Sequence, residues 1–441
     1  MRKVEKPSTF HHLMMKYAEK LNQVLTMDLS DITTDYIHWD KLRRYNRNTE
    51  VVEKKWLKIK LARIATLRKI ELSDKNGVPF QFNLPNNCFA LIHKIDELRA
   101  RLTQYYMEKG QKSEFLSNTL KFEESISSSQ LEGAATTRVV ALQMLEEERK
   151  PKTTDEKMIF NNYCLMKEVA ARKQDKLSIE LILKLHHIAT DGIDDEKIKP
   201  GMIRDNDDVY VVNYQNDPVH IPPKYMELTE RLQALCDFAN ADNQEKTFIH
   251  PIVKAIILHF MIGYEHPFCD GNGRTARALF YWFMMKNGYS EFEYISISKL
   301  LKNAAAKYAA SYLYTETDDN DLTYFIIYQL QTIKNAIEEL FRFLDKKNQE
   351  FQETLNWLSN TSIADELNAK EIILLKKAIK NPGKVFMAKE VKNLLGVGDN
   401  TARKYLENLC RHKILMKSLL GRTTMYIARQ DIVNLLNQRK K

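Results

Sequence analysis

Residues 266–277 bring together side chains and glycines that suit the binding of phosphates. The run reads His-Pro-Phe-Cys-Asp-Gly-Asn-Gly-Arg-Thr-Ala-Arg. Its Gly271-Asn272-Gly273 segment can turn with positive φ and bring backbone N–H groups close to a ligand. When such N–H groups lie at the N-terminus of a helix, the partial positive charge there favours an anion. The spacing therefore predicts a phosphate-binding loop that opens a helix.

The charged side chains of the same run suit polyphosphate chemistry. Arg274 and Arg277 are three residues apart, so on a helix they share a face and offer two guanidinium forks to a polyphosphate. Asp270 is predicted to be a ligand of a hard cation such as Mg²⁺, which phosphates usually bring with them. His266 is predicted to be a base that works near neutral pH within reach of this site.

Two apolar segments flank this run and must position it. One extends from Ile249 to Tyr264, and the other extends from Ala278 to Met285. The second ends at Asn287-Gly288, which is typical of a helix C-terminus. Both segments predict buried helices, with the charged run as a tight loop between them.

The run matches the Fic motif, His-x-Phe-x-Asp/Glu-Gly-Asn-Gly-Arg-x-x-Arg, at every specified position, and so the chain resembles the Fic family. The resemblance implies a mostly α-helical core and an enzyme that moves the AMP of ATP onto a hydroxyl group of a protein. It implies that His266 is the catalytic base and that Asp270 is a Mg²⁺ ligand. The nucleotide-binding residues that it implies are Gly271, Asn272, Gly273, Arg274 and Arg277.

A second stretch, Ser128-Ser-Gln-Leu-Glu-Gly133, ends a helical pattern at about 115–133. Alone it predicts a helix that stops at a glycine. Beside the Fic motif it resembles the inhibitory motif of that family, Ser/Thr-x-x-x-Glu-Gly/Asn, with Ser128, Glu132 and Gly133 at the specified positions. The resemblance implies that Glu132 pairs with Arg277 and so occupies the guanidinium that would hold the γ-phosphate.

A short β-hairpin is predicted between these two motifs in the chain. Two β-like runs, residues 209–213 and 219–221, flank an Asn-Asp-Pro turn. The resemblance implies that this hairpin is a flap over the active site, which aligns an extended target segment by main-chain hydrogen bonds. Its predicted residues are Val209, Tyr210, Val211 and Val212.

The Fic domain is predicted over residues 111–345, preceded by a helical accessory region over residues 1–110. In this region helical patterns cover Phe10–Leu25 and Glu53–Glu71, and a turn follows at Asp74–Pro79. The predicted fold is therefore mostly α, with one small hairpin in the central domain.

Residues 365–441 are predicted to form a winged helix-turn-helix. Two helical patterns flank a Gly-Val-Gly turn, and two β-like runs follow them. This segment has 17 lysines and arginines against 7 aspartates and glutamates, so it holds the basic excess of a chain whose net charge is +9. Such a module could bind DNA, or it could serve for dimerisation or for docking of the target protein. The predicted DNA contacts are Asn400, Thr401, Arg403, Lys404 and Arg422.

Composition limits the class of protein. Hydrophobic residues make up 44% of the 441 residues and charged residues 28%, as in soluble globular proteins. No run is long and apolar enough for a membrane span, and the N-terminus lacks the apolar stretch of a signal peptide. The five cysteines have no metal-ligand spacing. These features predict a cytoplasmic protein with free thiols and no membrane partner.

Several alternatives stay open on the sequence. Fic relatives transfer UMP, phosphocholine or phosphate, although Gly273 argues against the phosphate-transferring branch, which has lysine there. A site in which Glu132 positions a water molecule could instead remove AMP from a modified protein. A third alternative is a DNA-binding regulator whose Fic domain senses ATP or modifies its own chain. The target protein is not identified, and a homodimer that buries Glu132 is one further means of regulation.

Overall fold

The computed structural model describes residues 4–29, 36–45, 48–109, 122–212, 217–242, 248–359, 366–381, 383–420, 423–429, 431, 432 and 435. The N-terminal helices and strands are α1 (Phe10–Lys16), α2 (Leu21–Thr26), α3 (Trp39–Tyr45), α4 (Thr49–Ile64), β1 (Arg68–Ser73), β2 (Pro79–Phe82) and α5 (Asn86–Lys109).

The central elements surround residues 266–277. They are α6 (122–131), α7 (Arg138–Glu146), α8 (Thr154–Ala171), α9 (Ile179–Thr190), β3 (Val211–Val212), β4 (Pro218–His220), α10 (Leu228–Asn240), α11 (Pro251–Glu265), α12 (Asn272–Lys286), α13 (Ser298–Asn303), α14 (Ala305–Thr317) and α15 (Thr323–Ser359).

Helices α11 and α12 are the two predicted buried helices. Pro251 occupies the first turn of α11, where a missing N–H costs nothing, and the His250 side chain caps that turn. The helix ends at His266, whose φ of 46° is left-handed. Nearly every side chain of both helices is buried, as expected for helices that are apolar on all sides. The pair therefore forms a rigid support for the loop between them.

The prediction for residues 53–71 is wrong at its C-terminal end. Helix α4 stops at Ile64, and β1 pairs antiparallel with β2. In β1 the side chains of Ile70 and Leu72 are buried, which is the period-two alternation of a strand with one covered face. A β-hairpin therefore interrupts the predicted helical accessory region. The predicted turn between its strands is present.

The main hydrophobic core joins α11 and α12 to α8, α9, α10, α13 and α15, and it also includes buried side chains of residues 70–102. The hydrophobic core therefore shows no domain boundary between residues 1–110 and residues 111–345. A smaller cluster, from Leu13 to Ile59, lies within the N-terminal helices. Another joins α6, α7 and α8 through Phe122, Ile126, Ala141, Met144, Leu145 and Ile159.

The C-terminal segment has its own hydrophobic cluster, from Leu367 to Ile432. Its elements are α16 (Ala369–Lys380), β5 (Val385–Phe386), α17 (Ala388–Leu395), α18 (Asp399–Arg411), β6 (Leu415–Leu420) and β7 (Thr423–Ala428). The three strands form an antiparallel sheet in the order β5-β7-β6. The two predicted helices and the hairpin that follows them are therefore present.

All five cysteines are free. Across the described ranges, none of the helices is both long enough and apolar enough to span a bilayer.

Candidate active site

His266 lies where α11 ends, with its ring held in one orientation. Nδ1–H donates a hydrogen bond to the Gly263 carbonyl oxygen at 3.2 Å, so Nε2 is the ring atom that can accept a proton. Burial lowers the pKa of His266 to about 4, so the ring is neutral at pH 7. A neutral imidazole with a fixed tautomer is what the predicted base requires.

The loop from 266 to 272 is closed by the side chain of Asn272. Its Oδ1 accepts from the Phe268 backbone N–H at 3.0 Å, and its Nδ2 donates to the Phe268 carbonyl oxygen at 2.7 Å. Gly271 has a φ of 80°, and an added Cβ would lie 2.7 Å from Thr190 Cγ2. The side chain of Asn272 therefore shapes the loop, and only its backbone N–H remains for the predicted nucleotide contact.

This role of Asn272 predicts a loss of stability. Replacing Asn272 by alanine removes two buried hydrogen bonds and leaves two backbone groups unpaired, which should lower the free energy of unfolding by about 2 kcal/mol. Asn287→Ala, at the other end of α12, loses one part-buried hydrogen bond to the Phe283 carbonyl oxygen and should cost about 1 kcal/mol. Urea unfolding of both variants checks this, and equal losses would contradict it.

His186 of α9 holds the loop of residues 266–272 by hydrogen bonds and stacking, a role that the sequence did not reveal. Its Nε2–H donates to the Asp270 carbonyl oxygen at 2.9 Å, and its Nδ1 accepts from the Gly201 N–H at 3.0 Å. The ring stacks on Phe268 with centroids 3.7 Å apart. Burial lowers the pKa of His186 to about 4, which keeps it in this neutral form.

Arg204 connects the same loop to the base of the hairpin, and it too was not predicted. Its Nε donates to the His266 carbonyl oxygen at 3.2 Å, and its backbone N–H donates to that of Pro267 at 2.9 Å. Its Nη atoms donate to the Pro223 carbonyl oxygen and to Asp207 Oδ1. Because these partners are up to 63 residues away in sequence, no local pattern marks this arginine.

The guanidinium of Arg274 makes more hydrogen bonds within the protein than the sequence suggests. One Nη donates to the Ala189 carbonyl oxygen at 2.6 Å, and the other donates to Asp270 Oδ2 at 2.7 Å. Its side chain is buried, and within the described part of the chain its Nε has no partner. Arg274 therefore both fixes Asp270 and places a positive charge at the first turn of α12.

Asp270 is the predicted cation ligand, and its side chain is half-exposed beside the first turn of α12. In the ranges described, no three His, Cys, Asp or Glu side chains gather in a way that could hold a metal ion. A single carboxylate nevertheless fits Mg²⁺, since this ion is commonly held by one or two carboxylates together with substrate phosphates.

Arg277 makes the contact expected of the second motif. Its Nη2 donates to Glu132 Oε1 at 2.8 Å, and its Nε donates to Ser128 Oγ at 2.9 Å. Gly133, at a φ of 101°, ends the turn that carries Glu132. Glu132 also lies against Gly273, where an added Cβ would come 2.2 Å from Oε1. Glu132 thus covers both the guanidinium of Arg277 and the start of α12.

A further acidic residue of α6, Glu124, is buried and was not predicted. One oxygen accepts from Ser296 Oγ at 2.8 Å and from the Ser298 N–H at 3.2 Å, and the other accepts from Ser298 Oγ. Burial raises the pKa of Glu124. These hydrogen bonds connect α6 to the start of α13, and so they help to hold Glu132 over α12.

The predicted hairpin is present as β3 and β4, which pair antiparallel. Tyr210 and Val212 are exposed, and Val209 and Tyr210 precede the regular strand. Residues 213–216 lie outside the described residues. His220 anchors the hairpin, with Nδ1 at 2.7 Å from Glu316 Oε2 and Nε2 at 2.7 Å from the Tyr264 carbonyl oxygen.

Most of the predicted DNA contacts lie in the first two turns of α18. Asn400, Arg403 and Lys404 are exposed, and Thr401 is half-buried. Arg422 lies outside the described residues, so its place relative to α18 stays a prediction.

Comparison with known proteins connects the centre of the chain to one family. Residues 176–284 match the model of the Fic/DOC family. Over 119 residues the chain is 34% identical to the protein adenylyltransferase fic-1 of Caenorhabditis elegans, covering 27% of this chain and 21% of that protein. Over 126 residues it is 34% identical to the protein adenylyltransferase Fic of Drosophila willistoni, covering 28% and 23%. The match therefore spans less than a quarter of the length of either relative.

The fold agrees with this match. The crystal structure of a Fic family protein from Desulfovibrio desulfuricans superposes with a TM-score of 0.51 at 16% identity, covering 79% of this chain and 97% of that one. At this identity the likeness concerns the fold alone. The matched residues 176–284 include His266 to Arg277 but not Glu132. The chain therefore contains a Fic domain, and this domain is homologous to that of curated protein adenylyltransferases.

Proposed function

We propose that this protein transfers the AMP of ATP to a Ser, Thr or Tyr hydroxyl group of a target protein, and of its own chain. The observation that carries the proposal is the position of neutral His266 directly before the N-terminus of α12, in a domain homologous to named adenylyltransferases. The helix start favours anions, so the phosphates of ATP are proposed to lie there.

In this arrangement the backbone N–H groups of residues 271–273 hold the diphosphate, and Arg274 and Arg277 contact its outer end. His266 Nε2 takes the proton of the target hydroxyl group. The hydroxyl oxygen bonds to the α-phosphorus while the bond from this phosphorus to the bridging oxygen breaks, so pyrophosphate leaves in line. Positioning and charge neutralisation lower the barrier, since little else is required for this kind of transfer.

Asp270 is the residue proposed to hold Mg²⁺, which when bound would neutralise part of the phosphate charge. The hairpin residues 209–212 are proposed to align the target segment beside His266. Their exposed edge offers main-chain groups, so alignment would not depend on the target sequence.

We further propose that Glu132 inhibits this reaction. With its carboxylate on Arg277, it removes the guanidinium that would hold the γ-phosphate and adds a negative charge where phosphates must lie. ATP bound beside Glu132 would then have its α-phosphorus misplaced for in-line attack. Ser128 and Gly133 support this position, the first through Arg277 and the second through the turn that ends α6.

The test of the transferred group is a labelling experiment in the presence of Mg²⁺. The protein, with Glu132 replaced by glycine, is incubated with ATP labelled either at the α-phosphate or at the γ-phosphate. AMP transfer predicts protein-bound label from the α position and none from the γ position. Label from the γ position would show phosphate transfer. Label released from a pre-modified protein by the wild type, which keeps Glu132, would show the reverse reaction.

The C-terminal segment supports a second function, DNA binding. Its order of helix, strand, two helices and two strands is that of a winged helix-turn-helix, and we propose that α18 is its recognition helix. Arg403 and Lys404 are exposed on that helix. The chain would then be a DNA-binding protein whose Fic domain modifies a partner or itself, with residues 365–441 as a separate domain in the cytoplasm.

Charge reversal tests this module directly. If Arg403 contacts a phosphate, Arg403→Glu should weaken duplex binding at least tenfold in a mobility-shift assay and reduce the slope of log affinity against log salt by about one. Arg411→Glu, at the far end of α18, is the matched control and should change affinity less. Equal effects of the two changes, or binding that ignores salt, would contradict the proposal.

A further inference from the structure

The acidic end of α7 contacts the basic C-terminal segment. Lys377 Nζ of α16 lies 3.1 Å from Glu146 Oε2, and Lys389 Nζ of α17 lies 3.3 Å from Glu148 Oε2. Asn393 Nδ2 donates to the Glu146 carbonyl oxygen at 3.4 Å. The Glu146–Lys377 pair is mostly buried, with 16% and 24% of the side chains exposed. Opposite charges therefore face each other where the two parts of the chain meet.

Helix α7 follows Glu132 directly in the chain and is tied to α6. Arg138, its first residue, donates through Nε to both oxygens of Glu123 at 2.8 and 2.9 Å. Gln130 Nε2 donates to the Thr136 carbonyl oxygen at 2.8 Å across the connecting loop.

Buried apolar side chains join the two helices as well. Phe122 and Ile126 of α6 pack with Ala141, Met144 and Leu145 of α7 in a cluster separate from the main core. Helices α6 and α7 thus form a hairpin whose own contacts hold it together. A displacement of α7 would be transmitted to Glu132, because only residues 133–137 separate them.

We propose that residues 146–148 are a docking surface for the C-terminal segment, and that docking strengthens the Glu132–Arg277 contact. This inference rests on the proposed function, since it assigns a regulator to the same site. The coupling is reciprocal. An anionic partner that binds Lys377 and Lys389 would break their contacts with the end of α7 and so destabilise the position of α6. In turn, loss of the Glu132–Arg277 contact would weaken the docking of the C-terminal segment.

The experiment reverses the charges of the best-buried pair in the full chain. Glu146→Lys and Lys377→Glu each place like charges together, and the double variant restores an attractive pair. The readout is hydrogen exchange of the backbone N–H groups of residues 122–131, without ATP, because exchange reports local opening of α6. Each single variant should exchange about threefold to tenfold faster, and the double variant should return to within about twofold of the wild type.

A matched control is available on the same helix end. Glu147 carries a negative charge in the same region. Its carboxylate accepts a hydrogen bond from Gln143 of α7 rather than from the C-terminal segment. Glu147→Lys should leave exchange of α6 within about twofold. Should Glu146→Lys fail to fold, as judged by circular dichroism, Glu146→Gln removes the attraction without introducing repulsion and should accelerate exchange in the same direction.

The outcomes separate this inference from the proposed function. Faster exchange in both single variants with recovery in the double variant supports coupling, whether or not any variant transfers AMP. Unchanged exchange in the single variants, or no recovery in the double variant, would overturn the coupling even if AMP transfer is established. If transfer occurs, the single variants should also label faster than the wild type.

Discussion

Replacing Glu132 by glycine is expected to raise incorporation of label from α-labelled ATP by about 10- to 100-fold. The change removes a charge-assisted hydrogen bond to Arg277 at 2.8 Å. Such a bond contributes about 1.5–3 kcal/mol, and about 1.4 kcal/mol corresponds to a factor of ten. It also removes the side chain that lies against Gly273, so the start of α12 becomes accessible to phosphates. The measurement is the initial rate of label bound to protein at saturating ATP and Mg²⁺.

Charge and shape can be separated with a matched pair of variants. Glu132→Gln keeps the size of the side chain and should activate less than glycine, because an amide still covers Gly273. Glu147→Gln removes a nearby carboxylate that contacts Gln143 rather than Arg277, and should change the rate by no more than about threefold. Equal rates in the wild type and in Glu132→Gly would rule out inhibition by this residue.

Replacing His266 by alanine in the activated Glu132→Gly protein should reduce labelling by about 100- to 10,000-fold, the range that a positioned general base contributes. Binding of ATP should change little, since the ring accepts the proton of the target and is not proposed to hold the phosphates. Initial rates of labelling measure the first effect, and titration with ATP measures the second.

The neighbouring helix offers a control for His266. His187 is exposed on α9, and His187→Ala should leave labelling unchanged. If His266→Ala retained labelling, another group would have to take the proton. If it lost ATP binding as well, the ring would be holding the loop in place, and the loss of rate would not identify a base.

Local sequence determined the centre of the site. The apolar runs on both sides of residues 266–277 form the predicted buried helices, and the loop between them is closed within four residues by Asn272. Gly271 has the positive φ that its position predicts. Such features depend on neighbours in the chain, so residue type and spacing are enough to reveal them. The Glu132–Arg277 contact was also predicted, but by resemblance to a family, because no local rule joins residues 145 positions apart.

The helix predicted over residues 53–71 shows how a local pattern fails. Its second half is rich in good helix formers such as Ala65, Leu67 and Glu71, but the burial of Ile70 and Leu72 in the main core decides in favour of a strand. The nearest partner strand, β2, comes after the turn at Asp74–Pro79. Tertiary packing therefore overrides the local helical propensity.

The sequence by itself determined which groups are proposed to carry the chemistry: the predicted base His266, the predicted phosphate-binding start of α12 and the predicted inhibitory residue Glu132. Only the tertiary structure decided what holds these groups in position. His186 and Arg204 contact the loop from 84 and 62 residues away, and Glu124 joins α6 to Ser296 across 172 residues. None of the three lies in a recognisable motif. Hydrogen bonds across such distances arise when the elements pack together, and pairings of this kind leave no periodic trace in either segment.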